Sequence, residues 1–166
     1  MGAARQALIA EKRAFYSRLL RALDDGIDKA DSVVDLKSAV DEAANKSTAR
    51  TLAARLDEAH YACAESLKEI HRLIPELMIL GGHSIGVMAS VVSIRIGEHA
   101  RGAASRESFA VAHAELITLM HESVNPDGEP SEDEIRERVD PWVGALDQSR
   151  LDKYRKSFEA AYPEGC

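Results

Sequence analysis

The feature that most constrains the fold is a long stretch without glycine, residues 35–80, in which Pro75 is the only proline. Within this stretch apolar residues recur mostly in steps of three and four, which is the period of one face of an α-helix. They are Leu36, Val40, Ala43, Leu52, Leu56, Ala59, Cys63, Leu67, Ile70, Ile74 and Leu77. The pattern predicts a long amphipathic helix packed in a bundle, with a possible break at residues 45–48 and a kink or end at Pro75.

Helical spacing before this stretch predicts a first helix from about Ala3 to Ile27. The acidic residues and glycine of 24–26 weaken the pattern there, and Ser32 with Asp35 resembles a capping box for the second helix. Gly81 and Gly82 should end that second helix.

The segment from Ser84 to Glu98 is apolar on nearly every side, with small residues between the large ones. It predicts a short central helix buried by its neighbours. Residues 92–96 alternate and are rich in β-branched side chains, so a strand is the alternative there. A lone strand would need a partner, and only residues 77–80 could supply one.

The last third of the chain predicts a helix from Ser105 to Glu122 and a flexible loop near residues 124–131. Ser131 and Glu134 form a capping box for a short helix that ends at about Val139. Pro141 should begin the final helix, which we expect to extend to Ala161.

Composition agrees with an all-α fold of five or six helices in a single domain covering residues 1–166. Of the residues, 45% are apolar and only 5% are aromatic, a mixture that suits packed helices better than sheets. The length is that of one ordinary domain.

The net charge of −7 argues against a general nucleic-acid surface, which needs an excess of Lys and Arg. Two cysteines, Cys63 and Cys166, do not make a disulfide framework, so we expect a cytoplasmic protein. Residues 77–94 carry no Asp, Glu, Lys or Arg and approach the length of a membrane span. The glycine pair within them and the flanking charges of both signs favour a soluble protein instead.

The string from Gly82 to Gly86 matches G-x-S-x-G, with His83 and Ser84 at its centre. It resembles the nucleophile elbow of the α/β-hydrolase family, which would imply that Ser84 is a nucleophile activated by a histidine. The rest of the chain departs from that family, because no strands are predicted. The last histidine is His121, and the only acids between it and Ser84 lie on predicted helices: Glu98, Glu107 and Glu115. Gly81 and Gly82 as a helix end and Ser84 as the next N-cap explain the same residues.

Two pairs, Arg55 with His60 and Arg106 with His113, have the Arg-x(4–6)-His spacing of small all-α ribonucleases of the HEPN type. The resemblance implies that the arginine and the histidine act together on RNA. Short motifs of this kind also arise by chance in a chain with this many arginines and histidines, and an acidic chain is a poor RNA binder.

Asp57, His60 and His71 are the weak candidates for metal ligands, because they fall on one side of the second helix. Their number is small for a metal site, so we expect no metal and no other cofactor.

The sequence therefore favours a non-enzymatic interaction or assembly protein that binds a protein partner or itself. The long seam of the second helix and the apolar central segment are the features that suggest such contacts. The alternative is a small all-α enzyme, either a HEPN-like ribonuclease or a serine hydrolase at Ser84.

Overall fold

The computed structural model describes residues 2–146, together with Asp152, Lys156 and Ala160. This part of the chain contains five helices and no strand: α1 (Ala3–Asp41), α2 (Lys46–Gly81), α3 (His83–Ala100), α4 (Arg106–Ser123) and α5 (Glu132–Gly144). The all-α prediction is confirmed. Residues 92–96 lie inside α3, so the strand alternative was wrong.

α3 is the centre of the bundle, since it packs against each of the other four helices. Thirteen of its 18 residues are buried. α1 and α2 form an antiparallel hairpin beside it, in which Gly26 of α1 lies against Ile70 and Ser66 of α2. The prediction of a buried, short apolar central helix is therefore confirmed.

α1 is much longer than predicted, because it continues through Gly26 to Asp41. A glycine inside a helix costs about 1 kcal/mol relative to alanine. Here its missing side chain permits close packing: a Cβ at Gly26 would lie 3.0 Å from Ile70 Cδ1 and 3.2 Å from Ile96 Cδ1. Ser32 does not cap a new helix, since its hydroxyl donates to the carbonyl of Asp28 within α1.

A break does separate α1 from α2, but it covers residues 42–45, so it begins earlier than the predicted 45–48, and residues 46–48 already belong to α2. Asn45 caps α2, and its side chain accepts a hydrogen bond of 2.9 Å from the Thr48 N–H. α2 then continues through Pro75, so the proline does not end it. Gly82, with φ at +98°, makes the turn between α2 and α3 that a residue with a side chain would rarely adopt.

Ser105 caps α4, and Ser131 with Glu134 forms the predicted capping box of α5. α5 does not end at Val139, and Pro141 does not begin a new helix, because the helix runs to Gly144. The apolar residues on both sides of Pro141 are buried or half-buried against the core, which holds the helix together. The predicted final helix lies largely outside the described residues.

No helix among the described residues combines the length and the hydropathy that crossing a membrane requires. The uncharged residues 77–94 are divided between α2 and α3 at Gly82.

Candidate interaction surface

A groove of about 440 Å³ lies between the N-terminal half of α1 and the C-terminal end of α2. We refer to it as the α1–α2 groove. Its lining consists of Glu11, Ala14, Phe15, Arg18, Glu76, Ile79 and Leu80. Ile79 is 88% exposed, the largest value for a large apolar side chain in the described part of the chain.

Helical spacing brings these residues together. The α1 members are three or four positions apart and share one face, as do those of α2. Because the hairpin is antiparallel, the start of α1 lies beside the end of α2. Phe15 turns into the core at 8% exposure, and Leu80 is half-buried, whereas Ile79 points away from the seam that α2 buries.

The groove is apolar inside and charged at its edge. The guanidinium carbon of Arg18 lies 5.4 Å from the centre of the Phe15 ring, a cation–π distance that holds the arginine over the aromatic face. Glu11 and Glu76 are the other charged members. Two carboxylates against one guanidinium leave the edge with a net negative charge.

The two residues of the elbow motif lie elsewhere, at the junction of α2 and α3. His83 is exposed, and Ser84 is 3% exposed at the second position of α3. Ser84 does not cap α3 with its side chain, so that prediction was wrong. Its backbone N–H instead donates to Glu132 Oε1 of α5 at 2.7 Å. The strand that precedes a nucleophile elbow is missing from the described chain, where a helix stands.

Arg106 and His113 lie on α4, two turns apart, which separates their Cα atoms by about 10.5 Å. Each faces a different carboxylate of α1. Arg106 Nε donates to Asp31 Oδ2 at 3.0 Å, and His113 Nε2 is 3.7 Å from Asp24 Oδ1, too far for a hydrogen bond. Arg106 and His113 therefore lie beside different carboxylates and form no shared site.

Asp31 also binds a histidine that the sequence analysis did not single out. His99 Nε2 lies 2.8 Å from Asp31 Oδ1, and His99 Nδ1 lies 3.3 Å from the carbonyl oxygen of Ala104. Both ring nitrogens lie against oxygen atoms of the protein rather than against a nucleophilic side chain. This cluster ties α1, α3 and the start of α4 together.

The other sequence candidates lie along α2. Arg55, Asp57 and His60 are exposed. His71 is half-buried, and its Nε2 lies 3.3 Å from the hydroxyl of Ser93 on α3. In the described part of the chain no group of three or more His, Cys, Asp or Glu side chains is placed to hold a metal ion.

Burial governs the pKa shifts that accompany these positions. It lowers the pKa of His71, and at His113 it lowers the pKa more than the nearby Asp24 carboxylate raises it. Burial likewise raises the pKa of the Cys63 thiol and of Tyr16, whose hydroxyl lies 2.6 Å from Ser123 Oγ. The neutral forms of all four side chains are therefore favoured inside the bundle.

The α1–α2 groove was not predicted from the sequence, and neither were the contacts that Glu129 and Glu132 make with other helices. The one available signal for Ile79 was its position off the apolar seam that ends at Leu77. Glu129, which binds the buried Lys12 at 3.1 Å, and Glu132 had no signal of their own, because both are members of an acidic run.

Comparisons with known proteins supply no relative: no family model, no curated protein and no solved structure matches the chain.

Proposed function

We propose that the protein is a non-enzymatic interaction or assembly protein whose α1–α2 groove holds a helix of a partner protein. The exposure of Ile79 carries the proposal. An 88% exposed isoleucine beside a groove forfeits most of the roughly 1.5–3 kcal/mol that burial of such a side chain provides. Contact with an apolar residue of a partner would recover it.

The groove suits a short amphipathic helix that inserts one or two apolar side chains between α1 and α2. Such helix-in-groove contacts are a common mode of peptide recognition. Glu11 and Glu76 favour a partner helix with Lys or Arg beside its apolar anchor, and Arg18 favours one acidic residue opposite it. The expected partner is therefore basic and amphipathic.

The positions of the candidate catalytic side chains support an interaction function over an enzymatic one. Ser84 is buried in a helix, and Arg106 is paired with Asp31 while His113 lies near a different carboxylate, that of Asp24. The ribonuclease and hydrolase functions stay untested hypotheses that no observation here favours. α3 no longer supports an interaction function, because the chain itself encloses it.

We also propose a cytoplasmic location. The cysteines support it, since Cys63 is free and buried in the core and two thiols in a chain of this length do not form a disulfide framework.

A peptide titration followed by methyl NMR tests the groove. The probe is a helical peptide of leucine and lysine with an amphipathic order, and its controls are a peptide of the same composition in scrambled order and one with glutamate in place of lysine. We expect a saturable shift of the Ile79 methyl with the first peptide and a weaker one with the glutamate peptide. Buried methyls such as those of Ile85 should stay unchanged.

Two variants make the result specific. Ile79→Ser should weaken peptide binding at least tenfold, whereas Tyr61→Ser, which removes another exposed side chain of α2, should not. Equal shifts with the scrambled peptide, or no shift at Ile79, would contradict the proposal.

A further inference from the structure

The outward face of α4 is unusually poor in charge. Apart from Arg106, its exposed members fall on one stripe, three or four positions apart: Glu107, Ala110, Val111, Ala114, Ile117, Thr118 and His121. We call this set the α4 stripe. Val111 and Ile117 are 48% and 40% exposed. Between residues 110 and 118 no exposed residue is Asp, Glu, Lys or Arg.

The outward face of α2 shows what an ordinary solvent face of this protein contains. Its exposed residues from 55 to 76 include Arg55, Asp57, Glu58, Lys68, Glu69, Arg72 and Glu76. A helix that meets only water usually carries charges of both signs in this way. The α4 stripe lacks them, so its composition is that of a contact surface.

Charged residues do lie on α4, but on its two flanks, where the chain already pairs them. On the α1 side, Arg106 binds Asp31. On the α5 side, Arg138 binds both Glu115 and Glu122. Within residues 2–146 these pairs leave the apolar stripe between them without a partner.

The order of residues in the stripe is symmetric about Ala114. Ala110 and Thr118 lie four positions on either side of it, and Val111 and Ile117 lie three. The ends, Glu107 and His121, lie seven positions on either side. When two identical helices pack antiparallel across a two-fold axis, a residue before the central position faces the corresponding residue after it.

We propose that the α4 stripe is a homodimer interface, in which α4 of a second copy packs antiparallel with Ala114 at the two-fold axis. Val111 of each copy then packs against Ile117 of the other, and Ala110 lies opposite Thr118. At each end of the interface, the imidazole of His121 of one copy donates a hydrogen bond to the carboxylate of Glu107 of the other. The dimer therefore contains two such pairs.

Alanine at the centre allows the helices to approach to about 8 Å, the short end of ordinary helix packing. One helix stripe covers less than the roughly 800 Å² per partner of a standard interface. The dimer should therefore be weak, with a dissociation constant in the micromolar range or above. This surface lies apart from the α1–α2 groove, and the proposal does not depend on partner binding there.

Sedimentation velocity from about 1 μM to about 1 mM tests the proposal, because weak dimers assemble across that range. We expect a concentration-dependent shift from monomer to dimer. Ile117→Asp should weaken dimerisation at least tenfold without changing the melting temperature, since the side chain is exposed. Tyr61→Asp on α2 is the matched control and should leave the dimer intact.

Cysteine cross-linking tests the register, in a background with Cys63 and Cys166 replaced by serine. Ala114→Cys should form a disulfide-linked dimer on mild oxidation, because the axis brings the two Cα atoms within disulfide range. The exposed Ala64→Cys should not. A mixture of the Glu107→Cys and His121→Cys variants should form cross-linked dimers, whereas either variant alone should form far fewer.

A protein that stays monomeric up to 1 mM would overturn the proposal. So would a dimer that Ile117→Asp leaves intact, or one in which residue 107 cross-links to itself. None of these results bears on peptide binding at Ile79, so the two proposals fail separately.

Discussion

The carboxylate of Glu132 caps the N-terminus of α3 from another helix: its Oε1 accepts the Ser84 N–H at 2.7 Å. Glu132 is the first residue of α5 and stands 48 positions away from Ser84. A negative charge at a helix N-terminus satisfies an unpaired donor and interacts favourably with the helix dipole. The same carboxylate lies against Gly82, where a Cβ would be 2.7 Å from Oε2.

Replacing Glu132 with Ala should therefore destabilise the protein by about 1–2 kcal/mol, the combined size of a lost cap and a lost dipole interaction. Chemical denaturation measures the change. Glu137→Ala, an exposed site on the same helix, is the control and should have little effect. Ser84→Ala should cost less than Glu132→Ala, because the Ser84 side chain is not the cap. An equal or larger loss from Ser84→Ala would contradict this assignment.

The contact between Gly86 of α3 and Met78 of α2 should not tolerate a methyl group. A Cβ at Gly86 would lie 2.2 Å from Met78 Cγ, an atom close to its own backbone and unable to move far. We expect Gly86→Ala to destabilise the fold by about 1–3 kcal/mol, although alanine is the better helix former by about 1 kcal/mol.

Gly144→Ala is the matched control for this steric argument. Gly144 is the last residue of α5, and nothing lies within 4 Å of a Cβ built there. Its replacement should leave the unfolding free energy unchanged or slightly higher. If both variants behave alike, the helices α2 and α3 are not packed as closely as described.

The free energy of unfolding should fall as the pH is lowered through about 6.5, the ordinary pKa of histidine. Because the pKa values of His71 and His113 are lowered in the folded protein, the unfolded chain binds protons more tightly. The stability that these two neutral histidines contribute is therefore fully present above pH 6.5. It is lost progressively as the pH falls from 6.5 to their lower pKa values in the folded protein.

Urea unfolding at a series of pH values from 8 to about 5.5 measures this dependence, over a range in which most carboxylates stay ionised. The double variant His71→Gln with His113→Gln should lose less stability than the parent protein over that range. His60→Gln, an exposed site on α2, should retain the full dependence. A double variant with an undiminished slope would assign the effect to other groups.

Ala89, fully buried in α3 at 0% exposure, should not accept a charge. Ala89→Asp places a carboxylate in the centre of the bundle, and we expect a loss of several kcal/mol or complete unfolding. Circular dichroism during thermal melting measures the outcome. Ala64→Asp, at an exposed position of α2, should melt close to the parent. A folded Ala89→Asp protein would mean that α3 is not enclosed.

Signals that act within a few residues could be predicted from the sequence. Asn45, Ser105 and Ser131 each accept a bond from a backbone N–H three positions later, and such caps depend only on local chemistry. Gly82 ends α2 for an equally local reason, its positive φ. The burial of α3 was predictable too, because a helix that is apolar all round must be covered.

Features that depend on a distant neighbour could not be predicted in this way. Gly26 resembles a break in α1, but the close approach of α2 and α3 makes a glycine useful inside the helix. The same limit applies to the candidate sites. Arg106 and His113 have ribonuclease spacing in the sequence, but in the structure Arg106 binds Asp31 and His113 lies near Asp24 instead.

The sequence by itself determined that this chain forms helices, where most of their capped ends lie, and that residues 84–98 form the core helix. Those outcomes follow from hydrogen bonds and apolar spacing within a single segment. Only the tertiary structure decided that Ile79 stays in water, that Glu132 caps α3, and that the α4 stripe faces outward. Each of these depends on which helix faces which, and that is set by the packing of side chains far apart in the chain.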